Sequence, residues 1–334
     1  MLRSPPRQIR IRIERHPVNF LRSSGRAIQA AALITAATLA LTACGAAGAS
    51  GPAAETGTFA KDSNTLVIGL VPDESSATSS QQPIADYVGK VSGKKVEVKQ
   101  SSNYAALIEA AIAGQVDVVS FSGFTYLQAK AKGAKFTPVG ASVDASTHEP
   151  GYYSDAIVPA GSAVTDLAGF KGKKVCFVNE NSTSGYLFPQ YMLNKAGVTG
   201  GAYTPVMAGK HDVSAQKVAM GTECEVGFAQ DITVTTSGPA AGLFKASDLK
   251  VVHREFVPGP PFAVADGLPA DLKKVLTDKM STVTTADIKA AGITTTEAFE
   301  KFFGEGNKPV DDKYYDNLRD LCKKLPDVKT CAGI

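Results

Sequence analysis

Arginine all but disappears from this 334-residue chain after residue 43, where only Arg254 and Arg319 remain. Nucleic-acid binding leaves a basic stripe or patch in a sequence, and none is visible. Any anion bound here must be held mainly by backbone amides, hydroxyls, lysine or histidine. Long apolar runs are missing too, since nothing after Leu41 is apolar enough to cross a bilayer. No cysteines stand in C-x-x-C spacing and no histidines in H-x-x-x-H spacing, so no metal-ligand motif appears. G-x-S-x-G is absent, and no convincing Asp-then-His order follows Ser184, which speaks against a serine hydrolase.

What is present is a soluble globular composition, 44% hydrophobic and 20% charged, long enough for two domains. The formal charge of +3 is unevenly placed. Residues 1–43 hold seven arginines against the single acid Glu14, and the remainder carries 28 basic and 31 acidic residues, a net charge of −3. The basic segment to Arg26 precedes a small-apolar stretch from Ala27 to Leu41, too short to span a bilayer well and suited to a signal-peptide core. It ends in Leu41-Thr42-Ala43-Cys44, which resembles a bacterial lipobox, with Cys44 as the acylated first mature residue. Residues 1–43 are therefore expected to be a lipoprotein signal peptide and 44–64, rich in Gly, Ala, Ser and Thr, a flexible tether. The protein is expected to be exported and lipid-anchored to the outer face of the cell membrane.

Four cysteines remain, an even number that favours disulfides in an exported chain. Cys176 and Cys224 both sit in strand-like runs, and Cys322 and Cys331 bracket a proline-containing turn. The expected pairs are Cys176–Cys224 and Cys322–Cys331.

From Thr65 the chain alternates strand and helix, the pattern of α/β sheets with crossover helices. Strands are expected at 65–71, 95–99 and 116–119, with helices over 82–91, from the cap Asn103 to Ala113, and from about Gly123 to Lys132. A second round follows: strand 173–178, a hydroxyl-rich turn Asn181-Ser182-Thr183-Ser184-Gly185, helix 185–195, strand 202–206, helix 212–220 and strand 224–228. A strand at 250–252 and helices near 270–282, 284–290 and 295–303 complete it. Ligands of such sheets sit at the carboxyl ends of strands, which singles out the loops 72–80, 101–104 and 121–123. The Ser182–Gly185 turn opens a helix, whose unpaired amides and macrodipole suit an anion.

With the lipobox, the alternation and the Ser-Thr-Ser-Gly turn together, the chain resembles a solute-binding lipoprotein of an ABC importer, more narrowly the phosphate/phosphite/phosphonate-binding family. The markers, from about Leu66 to Phe303, are Asn103-Tyr104-Ala105, Val116-Asp117-Val118-Val119, Pro150-Gly151-Tyr152-Tyr153-Ser154, Asn181 to Gly185, Gly209-Lys210-His211 and Pro258-Gly259-Pro260-Pro261. The resemblance implies a two-lobed, type II periplasmic-binding-protein fold with the ligand cleft between the lobes. Lobe 1 is expected at 65–155 and 255–334, with a C-terminal helical tail from 304 that lies outside the match, and lobe 2 at 156–254. It implies no enzyme activity, no cofactor and no metal. The implied partners are a small oxyanion and an ABC permease, and the protein is expected to be a monomer.

The resemblance carries the anion contacts to Ser182, Thr183 and Ser184, to Tyr104 and to His211, whose ring, when protonated, would supply charge. Where relatives carry a second tyrosine this chain has Phe121 beside Ser122, and a site for an ammonium-binding acid is occupied by Pro260. Asp231 remains as an acid that accepts a ligand O–H or holds a donor. The expected ligand is thus phosphate, phosphite or a simple alkylphosphonate. The competing expectations are a sulfonate or thiamine-like solute on the same scaffold, and an exported hydrolase.

Overall fold

The run Thr65–Leu70 (β1) is buried at every position, as a strand covered on both faces must be. It forms the parallel centre of the first sheet, paired with β2 (Lys95–Gln100) and β3 (Val118–Ser120). Three helices follow these strands in turn: α1 (Ala77–Ser92), α2 (Tyr104–Ile112) and α3 (Gly123–Ala131). The computed structural model from which this is read describes residues 57–75 and 77–334. The expected signal peptide, the lipobox with Cys44 and the tether up to residue 56 lie outside the described residues. From Gly57 onward the expected tether is docked on the first sheet. The buried carboxylate of Asp117 accepts the amides of Ala60 and Val67 at 2.8 Å each.

The sequence reading assigned no strand to Phe136–Ser142, yet it is β4. Pro138 and Gly140 mask it. A proline is tolerated where a ladder is irregular, and the pairing with β10 (Pro261–Ala265) shifts register at this point, with Phe262 opposite Gly140 and Ala263 opposite Pro138. The chain then enters a second sheet through β5 (Gly151–Pro159), β6 (Lys174–Phe177), α4 (Phe188–Lys195), β7 (Thr204–Met207), α5 (His211–Met220) and β8 (Val226–Gln230). A single turn, α6 (Gly238–Ala240), precedes β9 (Leu249–Pro258). After β10 come α7 (Ala270–Met280), α8 (Thr285–Ala290), α9 (Glu297–Phe303), β11 (Asn307–Pro309) and α10 (Asp316–Lys324).

Among the described residues the strand orders are β11-β4-β10-β3-β1-β2 and β7-β6-β8-β5-β9. Each sheet has a parallel core of three strands, β1–β2–β3 or β6–β7–β8, as the alternation predicted, with antiparallel strands added beside it. The expected lobe boundaries at 155/156 and 254/255 fall inside β5 and β9. These strands pair from Gly151↔Pro258 to Pro159↔Leu249, both wholly in the second sheet, so the chain changes sheet at 143–150 and 259–260.

Both expected disulfides are formed. Cys176 lies in β6 and Cys224 just ahead of its neighbour β8, with Cα atoms 5.6 Å apart; Cys322 and Cys331 are 5.2 Å apart, within the span a disulfide bridges. The C-terminal tail packs against the first sheet and the loop at Gly259. β11 extends the first sheet, α10 buries Leu318, Leu321 and Cys322, and the Tyr315 hydroxyl donates to the Gly259 carbonyl at 3.0 Å. No helix among the described residues is long and apolar enough to cross a membrane.

Candidate functional site

The carboxyl ends of the parallel strands in both sheets face one cavity of about 170 Å³, space for a small solute rather than a single water. β1 delivers Val71 and Asp73, β2 leads to Tyr104, and β3 to Phe121 and Ser122. From the other sheet β6 leads to Ser182, β7 to His211, and β8 to Gln230 and Asp231. Tyr152, near the start of the antiparallel β5, completes the wall. Of the residues expected at the site, Tyr104, Phe121, Ser122, Ser182, His211 and Asp231 line this cavity.

Four helical N-termini converge here, and each is built by its local sequence. Asn103 caps α2, its Oδ1 accepting from Ala106 N at 2.9 Å, and Tyr104 is the first residue of that helix. Ser122 caps α3, accepting from Thr125 N at 3.3 Å. Ser182 caps the wide turn Thr183–Leu187 that runs into α4, accepting from Gly185 N at 3.1 Å. His211 opens α5. Each such end carries roughly half a positive charge, so the cavity is prepared for an anion without a guanidinium. Both arginines are engaged elsewhere: Arg254 forks onto the buried Asp155 at 2.9 and 3.0 Å, and Arg319 onto Asp312 at 2.9 Å.

Gly185 is required by this turn. A Cβ there would lie 2.4 Å from the Val178 side chain, while Val178 N donates to the Gly185 carbonyl at 3.0 Å. Thr183 and Ser184, although fully buried, are turned away from the cavity. Thr183 Oγ1 accepts from Phe124 N of the opposite lobe at 2.9 Å. The Ser184 hydroxyl accepts from the Tyr152 phenol at 3.0 Å, and its carbonyl from Ser154 Oγ at 2.6 Å. The hydroxyl triplet thus divides: Ser182 faces the cavity, Thr183 joins the lobes and Ser184 orients a tyrosine.

His211 is a neutral donor rather than the cation considered from the sequence. Its Nδ1 accepts the backbone N–H of Gln230 at 2.9 Å, which leaves the ring proton on Nε2. Burial lowers its pKa to about 3, so the imidazole stays uncharged at neutral pH. The Tyr104 phenol is raised well above its usual value by burial and by Asp73, against a hydrogen bond from Ser182. Burial and Asp155 push Asp231 up to about 6, although Tyr153 N donates to its Oδ1 at 3.3 Å. His148 and His253 lie away from the cavity, paired with Glu305 and Glu255.

Sequence reasoning missed Asp73, Tyr152 and Gln230. The rule that ligands sit at the carboxyl ends of strands already pointed to the loop after β1, where Asp73 stands. Tyr152 stands in the Pro150–Ser154 marker but lies outside that rule, because it enters from an antiparallel strand. The lobes also meet beside the cavity. His211 N donates to the Asp73 carbonyl at 2.8 Å and Ser75 N to Asp212 Oδ2 at 2.9 Å. The buried Glu74 carboxylate accepts from Gln230 Nε2 at 3.1 Å, from Ser237 Oγ at 2.7 Å and from Thr233 Oγ1.

Two α/β lobes with an anion-ready cleft at the ends of their parallel strands define a type II periplasmic solute-binding protein. Residues 68–315 match the family model described as the periplasmic substrate-binding protein of phosphonate ABC transporters. The chain belongs to this family, which makes it an extracytoplasmic solute-binding component of an ABC importer and not an enzyme. It is 34% identical over 293 residues to the phosphate-import protein PhnD of Mycolicibacterium smegmatis, covering 80% of this chain and 88% of the relative. Two solved structures share the fold. One is a binding-protein component of an ABC phosphonate transporter from Pseudomonas aeruginosa (TM-score 0.67, 23% identity, 81% of this chain and 90% of that one). The other is PhnD1 of Prochlorococcus marinus in complex with methylphosphonate (TM-score 0.65, 19% identity, 79% and 98%).

Proposed function

We propose that the protein captures a small phosphorus oxyanion, namely phosphate, phosphite or a simple alkylphosphonate, by closing its two lobes on it, and hands it to a membrane permease. The observation that carries this is the convergence of four helical N-termini on one cavity that no guanidinium enters. A tetrahedral oxyanion needs many donors, or its desolvation makes burial prohibitive. Hydrogen bonds to a charged acceptor contribute roughly 1.5–3 kcal/mol each, so six to nine of them exceed the ordering cost and allow micromolar binding or better. Tyr104, Ser122, Ser182 and the neutral His211 supply side-chain donors, beside the helical amides. Thr183 and Ser184 serve the anion indirectly, through lobe contact and through Tyr152. Phe121 forms an apolar wall, and Asp231 accepts a ligand O–H. The relatives named for phosphate import and methylphosphonate support the same class.

Closure couples to affinity, because donors come from both lobes and only the closed state presents them together. The changes of sheet at 143–150 and 259–260 are assigned as the hinge between lobes. The protein is further proposed to act as a monomer, tethered through lipid on Cys44.

The test is calorimetric titration of the ligand-stripped protein with phosphate, phosphite, methylphosphonate, 2-aminoethylphosphonate, sulfate and taurine. Saturable one-to-one heat from a phosphorus oxyanion, with the sulfur compounds silent, is the expected result. Heat from taurine or sulfate alone would reassign the ligand on the same scaffold.

A further inference from the structure

Where a chain leaves one sheet for another, its backbone groups lose the ladder that paired them, and buried ones need partners from elsewhere. Both changes of sheet, at 143–150 and 259–260, find such partners in residues 311–334, a segment that runs past the end of the family match at residue 315. Tyr314 Oη donates to the carbonyl of buried Pro150, the last residue of the first connection. The same oxygen accepts the N–H of buried Gly259, the first residue of the second connection, at 3.3 Å. The phenol of fully buried Tyr315 donates to the Gly259 carbonyl at 3.0 Å. One phenol thus joins both connections, and its neighbour completes Gly259. The residues that follow in each connection, Gly151, Tyr152 and Pro260, line the cavity.

The two tyrosines are themselves fixed to the first lobe. Asp312 accepts the Tyr126 phenol of α3 at 2.7 Å and the Arg319 fork at 2.9 Å. The rings of Tyr315 and Tyr126 lie 5.3 Å apart, and those of Tyr126 and Phe121 lie 6.1 Å apart. Aromatic packing therefore runs from the connections to the cavity wall. Beyond α10 the segment reaches the second lobe. Gln128 Nε2 of α3 donates to the Thr330 carbonyl at 3.1 Å, and Thr330 Oγ1 donates to the Glu180 carbonyl at 3.0 Å. Glu180 stands two residues before Ser182, at the entry to the turn that faces the cavity. The Cys322–Cys331 bond closes the loop that presents Thr330.

A segment anchored on one lobe and bonded to the connections and to the other lobe acts on their relative motion, not on the ligand. Bending the connections strips buried Pro150 and Gly259 of the Tyr314 phenol. Moving the anion turn away from the first lobe breaks the bond between Thr330 and Glu180. A hydrogen bond made in only one of two states shifts their ratio by about fivefold. Resting on the hinge assigned above, we propose that residues 311–334 are a strap across the two lobes that holds the site close to its assembled form. Tyr314 and Thr330 are its positioning residues. The strap is a third connection between the lobes, made by hydrogen bonds instead of by the chain itself.

The experiment compares the wild type with Tyr314→Phe, with Thr330→Val, and with a paired Cys322→Ala, Cys331→Ala variant that leaves the hinge tyrosines in place. Small-angle scattering is recorded without ligand and with saturating inorganic phosphate or methylphosphonate, and both ligands are titrated by calorimetry. The wild type is expected to contract on binding. Each variant should show a larger radius of gyration than the wild type without ligand and the wild-type radius with it. Its Kd should rise about fivefold, and alike for the two ligands, because the strap acts on closure. A segment that only completes the first lobe would lower the melting temperature of folded variants and leave the ligand-free radius and the Kd unchanged, and that result overturns the proposal. So does a loss that differs between phosphate and methylphosphonate, which would place the effect inside the cavity. A wild type that binds but does not contract overturns the hinge reading beneath this inference, and one that binds neither ligand overturns the phosphorus-oxyanion reading.

Discussion

Thr183 shows how one hydroxyl serves a ligand it does not touch. Its Oγ1 accepts Phe124 N across the lobe contact at 2.9 Å, so its removal leaves a buried amide unpaired only when the lobes are closed. Thr183→Val, nearly isosteric, is therefore expected to weaken oxyanion binding by about 1–3 kcal/mol, and by the same amount for phosphate and methylphosphonate. Titration of both ligands checks this. A loss that differs between them would place Thr183 against the ligand itself. Ser182, by contrast, faces the cavity while capping its own turn through Gly185 N, so a change there would mix ligand contact with loop geometry.

At the scale of elements, the anion site depends on how helices begin. α2 starts with Tyr104 because Asn103 accepts Ala106 N, and the cap also sets where the phenol stands. Asn103→Ala is expected to cost about 1 kcal/mol of stability, a drop in Tm of roughly 2–4 °C for a chain of this size. It should also lower anion affinity, because the first turn that carries Tyr104 loosens. Thermal melts with and without phosphate separate the two effects: a ligand-induced rise in Tm equal to that of the wild type would show that Tyr104 stays in place. The Cys176–Cys224 bond works at the same scale, tying β6 to the entry of β8 and holding the ends of two strands that feed the cavity.

For the molecule as a whole, the question is what holds the lobes together. Glu74, on the first-lobe loop after β1, is a buried carboxylate whose three side-chain donors come from β8 and the segment after it. Opening exchanges those bonds for water. Glu74→Ala removes the acceptor and leaves buried donors that cost roughly 1–3 kcal/mol each, so the closed state loses population. Apparent affinity falls in proportion to the competent fraction, and a tenfold or larger rise in Kd is expected. Small-angle scattering should show a larger radius of gyration for this variant with phosphate present. An unchanged radius and affinity would remove Glu74 as the latch.

Much of this was legible in the sequence because it is local. Strand and helix alternation, the cap Asn103, the helix-opening turn at Ser182–Gly185, and the near absence of arginine are properties of short stretches or of composition. The disulfide pairs followed from cysteines in strand-like runs and around a turn. The position of the cavity followed from the rule that strand ends carry ligands. Other features were decided by tertiary structure, since they join residues far apart in the chain whose meeting depends on how two lobes close. Tyr152, from the second sheet, became a neighbour of Tyr104 only in this way. The hydroxyl triplet was divided among cavity, lobe contact and tyrosine by the turn's orientation, and His211 was kept neutral by the Gln230 amide. β4 was hidden because Pro138 and Gly140 read locally as breakers, and only a register shift against β10 gives them a place in the sheet. Residue types set the chemistry available to this protein; the packing of one lobe on the other selected which atoms face the solute.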